Sequence, residues 1–151
     1  MCIETAVEDV SMLGKAHSLN LASTAVQDVS ALGGVFRLDL GSTRVADISA
    51  LAGCSELYLK NCHCIAEYSG LHDQYKLDLS SVPITDAVVA NLGKVKHITL
   101  AGCTAINDVS SLKDAFYVDL TNCTSVVSVA ALANVRHLTI TGCTGIQKGR
   151  K

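Results

Sequence analysis

The 151-residue chain has no Trp, one Pro and no low-complexity stretch, while 49% of its residues are hydrophobic. That combination excludes a disordered chain, which lacks the apolar groups to offset the entropy of ordering. There is no block of like charge: 12 Lys and Arg stand against 14 Asp and Glu, a formal net charge of −2. The basic field of a nucleic-acid binder is therefore missing. The tail Lys148-Gly149-Arg150-Lys151 is too short to supply one and reads as a solvated end. No run approaches the ~20 apolar residues of a membrane helix. The stretch Met1 to Glu8 is acidic and lacks a long apolar core, so it does not read as a signal peptide. These absences lead to the expectation of a cytoplasmic protein with neither a nucleic-acid nor a membrane partner.

What the sequence does have is a repeat. Leu19-Asn20-Leu21 recurs as Leu38-Asp39-Leu40, Leu57-Tyr58-Leu59 and Leu77-Asp78-Leu79, then as Ile98-Thr99-Leu100, Val118-Asp119-Leu120 and Leu138-Thr139-Ile140. The first members are 19, 19, 20, 21, 20 and 20 residues apart. Near-constant spacing of this kind marks a stacked array. Each copy has the same surroundings. Three positions before the first leucine there is often an apolar residue, such as Val35, Cys54 or Val95. Three positions after the second comes Thr24, Thr43, Cys62, Val82, Cys103, Cys123 or Cys143. A segment of the form Asp28-Val29-Ser30-Ala31-Leu32 follows, repeated at Asp47, at Asp108 and, before the first strand, at Asp9.

Side chains alternate across a strand, so the two leucines of each copy point inward together. A single repeat buries too little to offset the ordering of its backbone, and stacking closes that gap by sharing burial and pairing strands. About 20 residues leave no room for a long helix, so the return side is expected to be short 3₁₀ turns or extended segments. The recurring Asp suits such a turn, because its carboxylate accepts backbone N–H groups at the turn's start. Rung three departs from the pattern with Glu67-Tyr68. Rung four has a longer return, Thr85 to Lys94, with room for a helical turn.

This pattern resembles the leucine-rich-repeat family, with its L-x-x-L-x-L-x-x-N/C motif, and most of all its short-repeat branch of internalins and phosphatase-regulating repeat proteins. The resemblance covers essentially the whole chain. It implies an α/β-type repeat solenoid: a right-handed superhelix of about seven rungs with a parallel β-sheet on one face. The chain reads as one domain over 1–151, with a partial first repeat at 1–15, full rungs over about 16–146 and the basic tail at 147–151. In the family, the column holding Cys62, Cys103, Cys123 and Cys143 turns the chain inward and stacks as a ladder, which makes these thiols structural.

Chemistry-bearing motifs are few. The seven cysteines are odd in number and show no C-x₂-C spacing. In Cys62-His63-Cys64, Cys62 should point inward and Cys64 outward, so the cluster does not read as a metal site. Asn122-Cys123-Thr124 fits a glycosylation acceptor but follows from the repeat. Asp78 with His97, and Asp119 with His137, fall on adjacent rungs and read as surface carboxylate–imidazole contacts. No nucleophile, phosphate loop or metal accompanies them. The expectation is a non-catalytic protein without cofactor.

The distinctive pattern lies on the outer face of the sheet. One column reads His17, Phe36, Ser55, Tyr75, Lys96, Phe116, Arg136. The next reads Ser18, Arg37, Glu56, Lys76, His97, Tyr117, His137. With the residues between the leucines, these columns hold five of the chain's six aromatics. Aromatic and Arg side chains are common interface anchors, whereas mere coverage of a sheet by large side chains is the plainer account. The sequence points to a protein partner bound through Phe36, Arg37, Tyr58, Tyr75, Lys76, His97, Phe116, Tyr117 and His137. Two other roles fit the same sequence: an assembly segment joined end to end through uncapped ends, and a surface recognition protein.

Overall fold

A computed structural model describes residues 7–146; the tail at 147–151 and the first six residues lie outside the described residues. Seven strands follow one another along the chain: β1 Ser18–Asn20, β2 Arg37–Asp39, β3 Glu56–Tyr58, β4 Lys76–Asp78, β5 His97–Thr99, β6 Tyr117–Asp119 and β7 His137–Thr139. They form one seven-stranded sheet in sequence order, and every pairing is parallel. The register aligns Leu19, Leu38, Leu57, Leu77, Ile98, Val118 and Leu138 in one row. From β2 to β6 both apolar residues of each copy are fully buried, each contributing about 1.5–3 kcal/mol relative to exposure. The rows lose cover at the two ends: Leu19 and Leu138 are half-buried and Ile140 is exposed.

The returns are short. 3₁₀ turns occupy Ser30–Leu32, Ser49–Gly53, Ser110–Asp114 and Ala130–Leu132, and the longer fourth return holds an α-helical turn, α1 Asp86–Val89. Each 3₁₀ turn ends its inward reach on a buried leucine: Leu32, Leu51, Leu112 or Leu132. The Asp that precedes the turn accepts the backbone N–H two residues on, Asp28 from Ser30 at 2.9 Å, Asp47 from Ser49 at 2.9 Å and Asp108 from Ser110 at 2.8 Å. In the sixth return the hydroxyl of Ser128 takes that place, accepting from Ala130 at 3.3 Å. Rung three has no helical element; Glu67 instead forms a parallel bridge with Asp47, and Tyr68 lies half-buried against the core above the buried Leu71.

Two features were not evident in the sequence, one in the turn after each strand and one just before β4. Ser23, Ser42, Asn61, Ser81, Gly102, Asn122 and Gly142 all have positive φ, between 57° and 76°. This is the left-handed conformation that Gly and Asn adopt most readily, and here Ser fills three of the seven places. The conformation lets the N–H of the first six donate to the next rung, as Ser42 does to the carbonyl of Lys60 at 2.7 Å, while the following residue closes back on its own rung. The second feature is Gln74. It occupies the inward column of Val35, Cys54 and Val95, is 1% exposed and donates Nε2 to the Gly70 carbonyl at 3.1 Å. Its Oε1 has no hydrogen-bond partner among the described residues, a costly position for a carbonyl.

The ladder column points inward as the resemblance implied. Cys62, Cys103 and Cys123 are buried and Cys143 half-buried, whereas Cys64 is exposed. Each thiol of this column donates to a carbonyl of the preceding rung: Cys62 to Leu40 at 3.0 Å, Cys103 to Leu79 at 3.2 Å, Cys123 to Leu100 at 3.1 Å and Cys143 to Leu120 at 2.9 Å. Thr24 and Thr43 bond instead within their own rung, to Leu21 and Leu40, both at 2.7 Å. Burial disfavours the thiolate and raises Cys103 to about 11 and Cys123 to about 12; Cys54, in the neighbouring inward column, rises to about 11.

These contacts set two outcomes. In the native protein Cys64 is expected to alkylate promptly, while Cys54, Cys62, Cys103 and Cys123 label only in denaturant; peptide mass spectrometry reads the difference. Prompt labelling of Cys103 or Cys123 would contradict their burial. The second outcome concerns acid. The hydroxyl and amide of Ser30, Ser49 and Ser110 hold Asp28, Asp47 and Asp108 below the ordinary carboxylate range. The folded state thus binds fewer protons than the unfolded state. Its gain is complete above the free-Asp value of ~3.9 and is lost as pH falls through the lower folded values. Below about pH 4 the parent's urea midpoint should fall more steeply than that of Asp28→Asn/Asp47→Asn/Asp108→Asn, whose amide oxygens accept without titrating. Parallel slopes would remove these carboxylates from the acid response.

Candidate functional site

Strict alternation would turn the residue two before each first leucine back toward the core. The chain instead bends there. In four rungs the carbonyl of that residue is shared by two N–H groups of the next rung. Phe36 accepts from Ser55 at 3.0 Å and Glu56 at 2.9 Å, Tyr75 from Lys96 at 3.2 Å and His97 at 3.0 Å, and Lys96 from Phe116 at 2.8 Å and Tyr117 at 3.0 Å. The bend keeps two consecutive residues outside the core in each rung. The sheet therefore presents three columns of outward side chains rather than two.

All nine residues singled out in the sequence lie on this face. Phe36, Tyr75 and Phe116 are 45%, 53% and 40% exposed, while Tyr58, Lys76, His97 and Tyr117 are half-buried by their neighbours. They fall into two groups. Around Tyr58, the guanidinium of Arg37 stands 5.1 Å from the ring centre and the ammonium of Lys76 5.4 Å. Glu56 joins this group, 3.6 Å from Arg37 and accepting from the Tyr58 hydroxyl at 3.2 Å. Cation–ring contacts of this kind fix both partners at modest cost.

The second group centres on His97. Its ring lies 5.0 Å from Tyr75, 5.4 Å from Phe116 and 6.1 Å from Tyr117, and Phe116 continues to His137 at 5.2 Å. The guanidinium of Arg136 lies over the Phe116 ring, 5.6 Å from its centre. At the far end of the sheet, His17 stacks on Phe36 at 4.9 Å with the planes 7° apart. His17, Glu56 and Arg136 stood in the same sequence columns but were not picked out. The repeat sets His17 beside the ring of Phe36 on the following rung and Arg136 beside that of Phe116 on the preceding one, while Glu56 reaches Tyr58 within its own strand.

The carboxylate–imidazole contacts expected from the sequence do not form. Parallel register sets Asp78 beside Thr99 and His97 beside Lys76 and Tyr117; likewise Asp119 meets Thr139, and His137 meets Tyr117. Each carboxylate turns to its own rung. Asp39 accepts the Gly41 amide, Asp78 the Ser80 amide and Asp119 the Thr121 amide, all at 2.9 Å, and the Ser80 and Thr121 hydroxyls donate to the last two. These side chains close the strand ends rather than prime a base. On the return side an open cleft runs between Asp28 and Asp47, but both carboxylates there already serve the turn caps. Among the described residues no three of His, Cys, Asp and Glu gather as a metal site, and no helix is long and apolar enough to cross a membrane.

No protein-family model and no curated protein sequence matches the chain. Solved structures do. An internalin, inlF, from Listeria monocytogenes superposes with a TM-score of 0.73 at 24% identity, over 89% of this chain and 45% of that one. Internalin C2 of the same organism gives 0.64 at 18%, over 93% of this chain and 77% of that one. The functional domain of its InlJ, a domain described as including a cysteine ladder, gives 0.63 at 18%, over 94% and 33%. This chain thus spans less than half the length of the inlF and InlJ structures. At these identities the likeness speaks for architecture. By fold, the chain is a leucine-rich-repeat solenoid of the short-repeat, internalin-like type.

Proposed function

We propose that the chain is a non-catalytic interaction module that docks a protein partner on the outer face of its sheet. One observation carries this reading: five of the six aromatic residues gather on that face, packed with cations and imidazoles instead of being buried in the core. Phe36, Arg37, Tyr58, Tyr75, Lys76, His97, Phe116, Tyr117 and His137 are the contact residues. Ring-to-ring and cation-to-ring packing orders them before any partner arrives, which lowers the entropy cost of association. Solenoid sheets provide extended surfaces of this kind. Thiols that serve as hydrogen-bond donors suit a reducing, intracellular setting. The reading calls for no cofactor, nucleic acid or membrane.

Affinity capture from native lysate, comparing the parent with Phe36→Ala/Tyr58→Ala/Tyr117→Ala, tests it. The parent should retain a protein that the variant loses, with circular dichroism unchanged. Equal retention by both would overturn the reading.

A second reading, end-to-end assembly, has its own observation. Among the described residues, apolar side chains are exposed near the outermost strands β1 and β7 of the sheet: Met12 at 90%, Leu13 at 37% and Ile140 at 40%. Light scattering should then show a mass that rises with concentration and returns to that of one chain in Ile140→Lys. A constant single-chain mass would exclude it.

A further inference from the structure

The outward face is polarised along its strands. The two columns at the strand entry carry Arg37, Lys76, Lys96 and Arg136, with Glu56 as their one carboxylate; the column at the strand exit carries Asp39, Asp78 and Asp119. The two sets are engaged differently. Every Asp of the exit column accepts hydrogen bonds from its own rung. Glu56 is shared between Arg37 and the Tyr58 hydroxyl. Among the described residues Lys76, Lys96 and Arg136 form no ion pair. Lys76 and Arg136 lie over rings, and Lys96 donates to the neutral carbonyl of Asp114 at 3.3 Å. Three cations thus stand without a carboxylate on a chain whose net charge is −2. The rings of Tyr75, His97 and Phe116 lie among them.

We propose that the occupant of this face is an acidic, extended protein segment. Its carboxylates lie over Lys76, Lys96 and Arg136, and its apolar side chains rest on the rings around His97. The proposal rests on the reading of the sheet face as the docking surface. The three cations extend from β4 to β7, three inter-strand steps or ~14 Å, which about five residues of extended chain cross. The charge pattern also selects against a nucleic-acid strand, whose charge on every nucleotide would meet the Asp39, Asp78 and Asp119 column with like sign. A peptide can set acidic side chains on one flank and neutral ones on the other.

The test is fluorescence anisotropy with the full chain at low salt. The probe is a labelled twelve-residue peptide of Glu, Ser and Phe. Matched peptides replace every Glu by Gln or by Lys, and oligothymidylate of equal length is the nucleic-acid comparator. The Glu peptide should bind roughly tenfold tighter than the Gln peptide, and Lys76→Glu/Lys96→Glu/Arg136→Glu should weaken it at least about tenfold while gaining the Lys peptide. Tyr75→Ala/Phe116→Ala should weaken the Glu peptide as well. Circular dichroism confirms that each variant is folded. No binding, equal binding of the Gln peptide, or preference for oligothymidylate overturns the proposal. If the ring variant loses the peptide but charge reversal has no effect, the acidic partner is overturned and the sheet face stands. If neither variant changes binding, both are overturned.

Discussion

Everything in this molecule depends on the in-phase stacking of one row of leucines. Leu38, Leu57, Leu77, Ile98 and Val118 sit in register on neighbouring parallel strands and are wholly buried. Parallel pairing without slippage requires every rung to bring its apolar pair to the same depth, because a shift of one residue would turn the pair outward. That single constraint decides which residues face out. It also brings together, on one surface, side chains that are some 20 residues apart in sequence. The aromatic and cationic groups of the sheet face are neighbours only because the rows beneath them are aligned.

Much of this was legible because the repeat is local and periodic. Strand positions, the buried pairs, the Asp that caps the returns at Asp28, Asp47 and Asp108, the helical turn at Asp86–Val89 and the inward thiols could all be read from spacing or from family resemblance. Features that depend on backbone detail were not legible. The left-handed column is filled by Ser23, Ser42 and Ser81 as well as by Asn and Gly, so composition does not announce it. Gln74 breaks the apolar column at Val35, Cys54 and Val95 and is accommodated through one bond to Gly70. Nothing in its chemistry predicts burial.

The candidate site was legible as columns but not as contacts. Sequence places Asp78 and His97 on adjacent rungs, yet register aligns like columns, so the imidazole meets Lys76 and Tyr117 while the carboxylate stays with Ser80. A bend at the strand entry, marked at Phe36, Ser55, Tyr75 and Lys96 by a carbonyl shared between two amides, then widens the face by one column, which alternation alone does not foresee. The two ring-centred groups, one about Tyr58 and one about His97, emerge only once both effects are in place.

The thiol ladder gives the array a direction. Each cysteine side chain reaches the carbonyl of the rung before it: Cys103 that of Leu79, Cys123 that of Leu100 and Cys143 that of Leu120. A rung joining on the C-terminal side therefore brings its own donor to an acceptor already in place. A rung joining on the N-terminal side must instead satisfy a donor that has been waiting buried. Chains leave the ribosome N-terminus first. In the four rungs that carry it, the thiol thus finds its acceptor on a rung made before its own.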